Sequence, residues 1–201
     1  TYRGGPATHE PRQAGGRPEE RTEEAVSDVK DPRFPIGRFS PEEDAGPDTL
    51  ERCAAELSAL PRRLRDAVSG LSDAQLDTPY RDGGWTIRQL VHHVADSHMN
   101  GMIRVKLPLT EDNPAITAYK QALWAHLPDA RLPIEISLRI LDSVHERLDA
   151  VVAGMSADDY ARTFMHPENG RTRLDNWVQL YAWHSRHHVA HITELRRQKG
   201  W

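Results

Sequence analysis

Beyond position 47 the apolar residues stop scattering and begin to recur. Leu50, Cys53, Ala54, Leu57, Leu60, Leu64, Ala67, Val68 and Leu71 follow one another at intervals of three and four, the period of an amphipathic helix. Pro61 should bend or interrupt it. PYRDGGW at 79–85 reads as a surface loop by its glycines, and Thr86 followed by Gln89 has capping-box spacing, so a second helix should start at Thr86. Its apolar positions Ile87, Leu90, Val91, Val94, Met102 and Val105 carry it to about Leu107, where Pro108 argues for termination. Residues 108–132 are broken by prolines and read as a long crossover with one short helix around Ala115–Trp124.

A third helix is expected from Pro133 to Ala153 on the stripe Ile136, Ile140, Val144, Leu148 and Val151, with Gly154 as its stop. The loop FMHPENGRT leads to Thr172, with Asp175 three residues on, and then to a helix from Leu174 to Gln198. Arg196, Arg197 and Lys199 suit its C-terminal dipole, and Gly200 can supply a left-handed cap. Four long helices without a convincing strand pattern predict an all-α four-helix bundle with a long crossover between helices 2 and 3. Residues 1–33 are rich in Gly, Pro, Glu and Arg with little to bury, and read as a disordered tail ahead of a single domain at 34–201. FPIGRF at 34–39 is the first apolar cluster, and Pro35 favours an extended segment lying on that domain.

Composition narrows the chemistry. A chain of 201 residues that is 38% hydrophobic and 28% charged suits one globular domain, and a net charge of -4 offers no basic field for nucleic acid. No run approaches the roughly 18 apolar residues of a membrane span, and there is no apolar signal core, so no membrane partner and a cytoplasmic location are expected. The lone Cys53 makes no internal disulfide or thiolate cluster, so any metal must be held by nitrogen and oxygen.

Histidines supply that nitrogen. Seven of eleven fall in two windows, His92, His93 and His98 in HHVADSH and His184, His187, His188 and His191 in HSRHHVAH. At about 100° per residue, His184 and His188 lie inside the apolar face set by Trp177, Tyr181, Ile192 and Leu195, whereas His187 and His191 lie on its flank. Two imidazoles one turn apart in an apolar stripe need partners, and a shared metal supplies them; core histidines bonded to carbonyls or carboxylates are the bland alternative. In the upstream helix periodicity favours His98, while His93 sits on a polar strip with Gln89, Asp96, Ser97 and Asn100. His92 reads as a solvated or supporting residue with Asp96 as an i,i+4 partner.

GGWTIRQLVHHVADSHMNGMIRVKLPLTEDNPAI and YAWHSRHHVAHITELRRQKGW resemble the YfiT-like branch of the DinB superfamily, and the likeness runs from FPIGRF to Trp201. The resemblance implies a four-helix bundle often described as a metal-dependent hydrolase, one divalent metal per subunit, nickel or zinc, and a homodimer. It implies that the ligands are the second histidine of the HH pair, His93, and the H-x-x-x-H pair His184 and His188. It also implies a rival activity, because relatives transfer thiols such as bacillithiol or mycothiol.

Hydrolysis would use an open metal position and a general base; thiol transfer would place a low-molecular-weight thiol there instead. A noncatalytic metal-binding bundle is the third reading. No glutamate is built in as in H-E-x-x-H, so the catalytic residue is unassigned, with Asp96, His187 and His191 as nearby candidates for a supporting role around a small-molecule substrate. Trp85, Trp177 and Trp183 read as packing or rim residues, Tyr80, Arg81 and Asp82 as surface, and Arg104 and Lys106 as solvated charges.

Overall fold

The computed structural model describes residues 31–201. The tail expected at 1–33 lies outside them except for Asp31–Arg33. Those three are joined to the first apolar cluster: the Phe34 amide donates to the Asp31 carbonyl at 2.8 Å, and the Arg33 side chain pairs with the Asp31 carboxylate at 2.8 Å.

The first amphipathic stretch folds as two helices, α1 (Pro47–Ser58) and α2 (Leu60–Val68), broken at Ala59 with Pro61 in the first turn of the second. Proline fits there because the first amides of a helix have no intrahelical acceptor. A short α3 (Asp73–Leu76), which periodicity is too brief to show, starts on a Ser72–Gln75 capping box. The capping box at Thr86 and Gln89 opens α4 (Ile87–Thr110) as expected. Pro108 does not end that helix. Placed in the last turn it removes one hydrogen bond, and the chain continues to Thr110 while the Pro108 carbonyl accepts from Arg162 Nη1 at 3.1 Å.

The crossover is less helical than expected, with α5 (Gln121–Trp124) and a 3-10 turn at Pro128–Arg131. Next in the chain is α6 (Glu135–Ala153), closed by Gly154. Its buried stripe is rotated from the expected one and runs through Leu138, Leu141, His145, Leu148 and Val152. Then come α7 (Ala157–Ala161) and a hairpin, β1 (Thr163–His166) paired antiparallel with β2 (Gly170–Arg173) in the register Thr163↔Arg173 and His166↔Gly170.

This hairpin corrects the strand-free expectation. Asn169-Gly170 is a turn signal, Gly170 adopts φ +71°, and His166 Nδ1 accepts from the Glu168 and Asn169 amides at 3.1 and 3.3 Å. The final helix α8 (Leu174–Lys199) starts at Leu174 as expected, with Arg173 at its N-cap position, and ends on Gly200 at φ +70°. Asp175 in its first turn accepts from the Asn176 amide and pairs with Arg173.

Four long units, α1 with α2, α4, α6 and α8, form the expected bundle. The α8 helix packs on α1, α2 and α4, and α6 packs on α4, α1 and α2. Leu60, Leu64, Leu90, Val94, Leu141 and Ile192 fill one end, and Leu57, Val105, Leu148, Leu174 and Trp177 the other. The α4 and α8 helices approach closely at Gly101, where a Cβ would lie 2.6 Å from Tyr181 Cε1 and 2.8 Å from Cζ.

Gly101→Ala should therefore destabilise the fold by about 1–3 kcal/mol through overpacking, outweighing the roughly 1 kcal/mol that alanine gains over glycine inside a helix. A lower denaturant midpoint in a urea titration is the expected readout. Among the described residues no helix is long and apolar enough to cross a membrane.

Candidate metal centre

The two histidine windows meet where α4 faces α8. His93 is 5% exposed and His188 7%, with His184 half-buried between them. One ring nitrogen from each falls within 4.8 Å of the other two. Nε2 of His184 and Nε2 of His188 are 3.1 Å apart, and the His93 ring centroid lies 5.6 and 5.0 Å from theirs. Two nitrogens each about 2.1 Å from one ion are separated by about 3–3.5 Å at bond angles of about 90–110°, so the spacing of the His184 and His188 Nε2 atoms fits joint coordination. Burial holds all three imidazoles in the neutral form that a metal needs, His93 down at about 4 and His184 and His188 well below the ordinary value. The Nδ1 atoms of His184 and His188 are buried without a protein hydrogen-bond partner.

A second set, His187, His188 and His191, meets the same distance criterion. Its members all come from α8, with ring centroids 5.1, 6.0 and 4.4 Å apart. His188 belongs to both sets, so the two compete. Two divalent ions side by side would repel by on the order of 10 kcal/mol at a separation of about 5 Å, and neither set includes a carboxylate to offset that.

Access separates the two sets. A cavity of about 410 Å³ is walled by His93, His184, His187 and His188 together with Trp85, Trp183 and the loop from Tyr80 to Gly84, and His191 has no part in that wall. The Tyr80 ring covers His191 at 4.1 Å.

None of the clustered histidines is a surface residue, so His92 is not solvated and the flank of α8 that carries His187 and His191 is covered. His187 and His191 are 8% and 4% exposed, with Nε2 atoms 3.1 Å apart, because Trp183 stacks on His187 at 4.4 Å while Phe34 and Tyr80 cover the flank of α8. Desolvation lowers His187 to about 4 and His191 to about 3. His92 is paired with Ser137 Oγ at 2.7 Å and the Leu132 carbonyl at 3.0 Å, not with Asp96.

His98, the choice of periodicity, is fully buried below the set and bonds through Nδ1 to Nε2 of His145 at 3.0 Å. Nothing in the sequence pattern pointed to His145, although a polar residue on the stripe Leu138, Leu141, Leu148 and Val152 is a visible signal once α6 is correctly phased.

Asp96 is half-buried and raised to about 6 by desolvation and the Asp129 charge, and it has no place in the cavity wall. Arg104 donates to the Thr117 carbonyl at 3.1 Å and borders a separate cavity that also reaches His184. Trp177 is core, as expected, stacked on Tyr181 at 4.3 Å; Trp85 and Trp183 line the site, with Trp85 4.6 Å from His93.

The DinB superfamily model matches residues 56–192, a span that includes both histidine windows. The chain belongs to the DinB superfamily. A protein of Bacillus cereus strain B4264 named "Putative metal-dependent hydrolase" is 49% identical over 173 residues, covering 86% of this chain and all of that protein. A Bacillus mycoides strain KBAB4 relative with the same descriptive name is also 49% identical over the same lengths.

Among solved structures, YfiT from Bacillus subtilis, described as a probable metal-dependent hydrolase with an unusual four-helix bundle topology, superposes with a TM-score of 0.82 at 44% identity. That match covers 85% of this chain and 98% of YfiT. A second four-helix bundle protein, TT2238, matches in fold alone, with a TM-score of 0.52 at 23% identity over 76% of this chain and all of that one. The superfamily fold and its four-helix architecture are thus those of this protein.

Proposed function

We propose that this DinB-superfamily protein is a metal-dependent hydrolase whose single divalent ion, zinc or nickel, is held by His93, His184 and His188. The observation that carries this reading is the convergence of three neutral imidazole nitrogens on the wall of a cavity large enough for a small molecule. Three protein ligands leave a coordination position open, which favours an active centre over a purely structural one. When bound there, such an ion supplies Lewis acidity that brings a coordinated water or thiol toward ionisation near neutral pH.

The chain's own residues do the remainder. Trp85 and Trp183 exclude water from the cavity flanks, and the His98–His145 pair underlies His184, with the His98 and His184 rings 5.5 Å apart. His187 is the remaining imidazole in the wall, and in this reading it accepts the proton, with His191 behind it sharing a hydrogen bond. Asp96 takes no part, since no contact brings it to the wall.

One observation favours thiol transfer as the alternative: among the described residues no carboxylate lines the cavity to serve as the base of a hydrolase. The deciding experiment is a screen of the metal-loaded protein against esters, amides and low-molecular-weight thiols paired with electrophiles. Hydrolysis that is lost on chelation and in His184→Ala supports the first reading. Thiol conjugation without hydrolysis replaces it with the second, and stoichiometric metal with neither activity leaves the noncatalytic bundle.

A further inference from the structure

Arg81 and Trp183 both line the cavity beside the histidine set, and each has a buried nitrogen, Nε of Arg81 and Nε1 of Trp183, with no hydrogen-bond partner among the described residues. Among the described residues Arg81 is the only charged side chain in that wall. Its Nη1 donates to the Asp82 carbonyl at 2.8 Å, and among the described residues no carboxylate forms an ion pair with it. An unsatisfied buried donor costs about 1–3 kcal/mol, and more on a charged group, so a fold retains one where something else supplies the acceptor.

The local backbone is built to keep Arg81 there. The Gly84 amide donates to the Arg81 carbonyl at 3.0 Å, the Tyr80 amide donates to the Trp85 carbonyl at 3.1 Å, and Pro79 bridges to Thr86. Gly83 turns the chain at φ +64°. A Cβ on Gly84 would fall 2.7 Å from Arg81 Cγ, so the absence of a side chain there gives the arginine stem its place. Among the described residues the rest of the wall holds no anion to balance the guanidinium: its other members are imidazole, aromatic, glycine or amide.

We infer that the cavity takes a small molecule bearing a carboxylate, held by Arg81 and Trp183 while its reacting group lies against the histidine set. With Nη1 engaged, the Nε and Nη2 edge of the guanidinium is left with two parallel N–H groups, the fork that matches the two oxygens of a carboxylate. Trp85 and Trp183 offer apolar faces for the body of the ligand. The position of the reacting group rests on the proposed metal site; the contact to Arg81 does not.

The test uses calorimetric titration of the full chain, zinc-loaded and zinc-stripped, with 3-phenylpropionate and 3-phenylpropionamide as probes. The acid should bind at least about tenfold more tightly than the amide, and Arg81→Gln should weaken the acid about 10- to 100-fold at unchanged zinc content, the scale of a charge-assisted bidentate contact. Arg81→Lys should restore part of the loss, and Gly84→Ala, which displaces the arginine without removing its charge, should reproduce most of it.

Equal affinity for acid and amide, or no binding of the acid at millimolar concentration, overturns the proposal. So does an acid preference that survives Arg81→Gln and vanishes on stripping zinc, because the carboxylate would then sit on the metal. Inorganic phosphate competing as strongly as the acid overturns the choice of carboxylate. An Arg81-dependent preference in a protein that binds no zinc keeps this proposal and defeats the metal reading.

Discussion

Replacing His93 by alanine is expected to lower zinc or nickel affinity by more than about 100-fold, whereas replacing His191 should cost less than about tenfold. Loss of an outer partner of a metal ligand costs about 10- to 100-fold, and removal of one of three direct nitrogens exceeds that. The pair of variants separates the two histidine sets, since His93 belongs only to the first and His191 only to the second. His188→Ala loses the ion under either assignment and does not discriminate. Metal content by mass spectrometry after dialysis, together with competition against a chromogenic chelator, gives the measurement. Tight binding in His93→Ala with loss in His191→Ala moves the ion to the second set.

Metal-free protein should unfold in mild acid. His93, His145 and His187 are lowered to about 4 and His191 to about 3, each chiefly by desolvation, and His98, His184 and His188 are also lowered well below the ordinary value. An unfolded chain protonates these positions near pH 6.5 while the folded one stays neutral, so the unfolded state binds more protons and stability falls as pH falls. The contribution is complete above about pH 6.5 and is lost progressively toward about pH 4.

Each such histidine removes about 1.4 kcal/mol per pH unit across that window, and several acting together exhaust a domain stability of about 5–15 kcal/mol within a few units. Asp96 works in the opposite sense. Raised to about 6, it takes up a proton in the folded state first, a single group against seven. A circular-dichroism titration should show loss of helix above pH 4 for the metal-free chain and at lower pH with zinc present, because bound metal must be displaced before the ligands can protonate. A native signal held to pH 3 without metal would sink this account.

Long amphipathic elements were legible in the sequence because a stripe of period 3.6 repeats over many residues. The capping box at Thr86 and Gln89 and the terminal Gly200 were legible because caps are local chemistry. Short elements escaped for the complementary reason. Helices α3 and α7 and the hairpin at 163–173 are too brief for periodicity, and only their capping residues and Asn169-Gly170 announced them. Pro108 misled because proline costs one bond wherever it stands in a helix, and in the last turn that loss is tolerated.

For the site, helix geometry was enough to pair His184 with His188, and the separation of their Nε2 atoms is a consequence of i,i+4 spacing. Choosing between His93 and His98 was beyond it, because α4 touches two neighbours and is buried around most of its circumference. His98 turns toward α6 to meet His145, and His93 turns toward α8.

The sequence by itself determined four amphipathic helices, a donor set without thiolate, and the pairing of His184 with His188 on one helix face, all of which arise from interactions within a few residues or from composition. Tertiary structure brought His93, which the resemblance named and periodicity did not, beside that pair, and decided that His187 and His191 are buried and that Arg81 lines a cavity. Those outcomes depend on what packs over each face. Phe34 and Tyr80 cover the flank of α8, and a glycine turn sets Arg81 against the histidines. Contacts between segments so distant in the chain leave no periodicity to read.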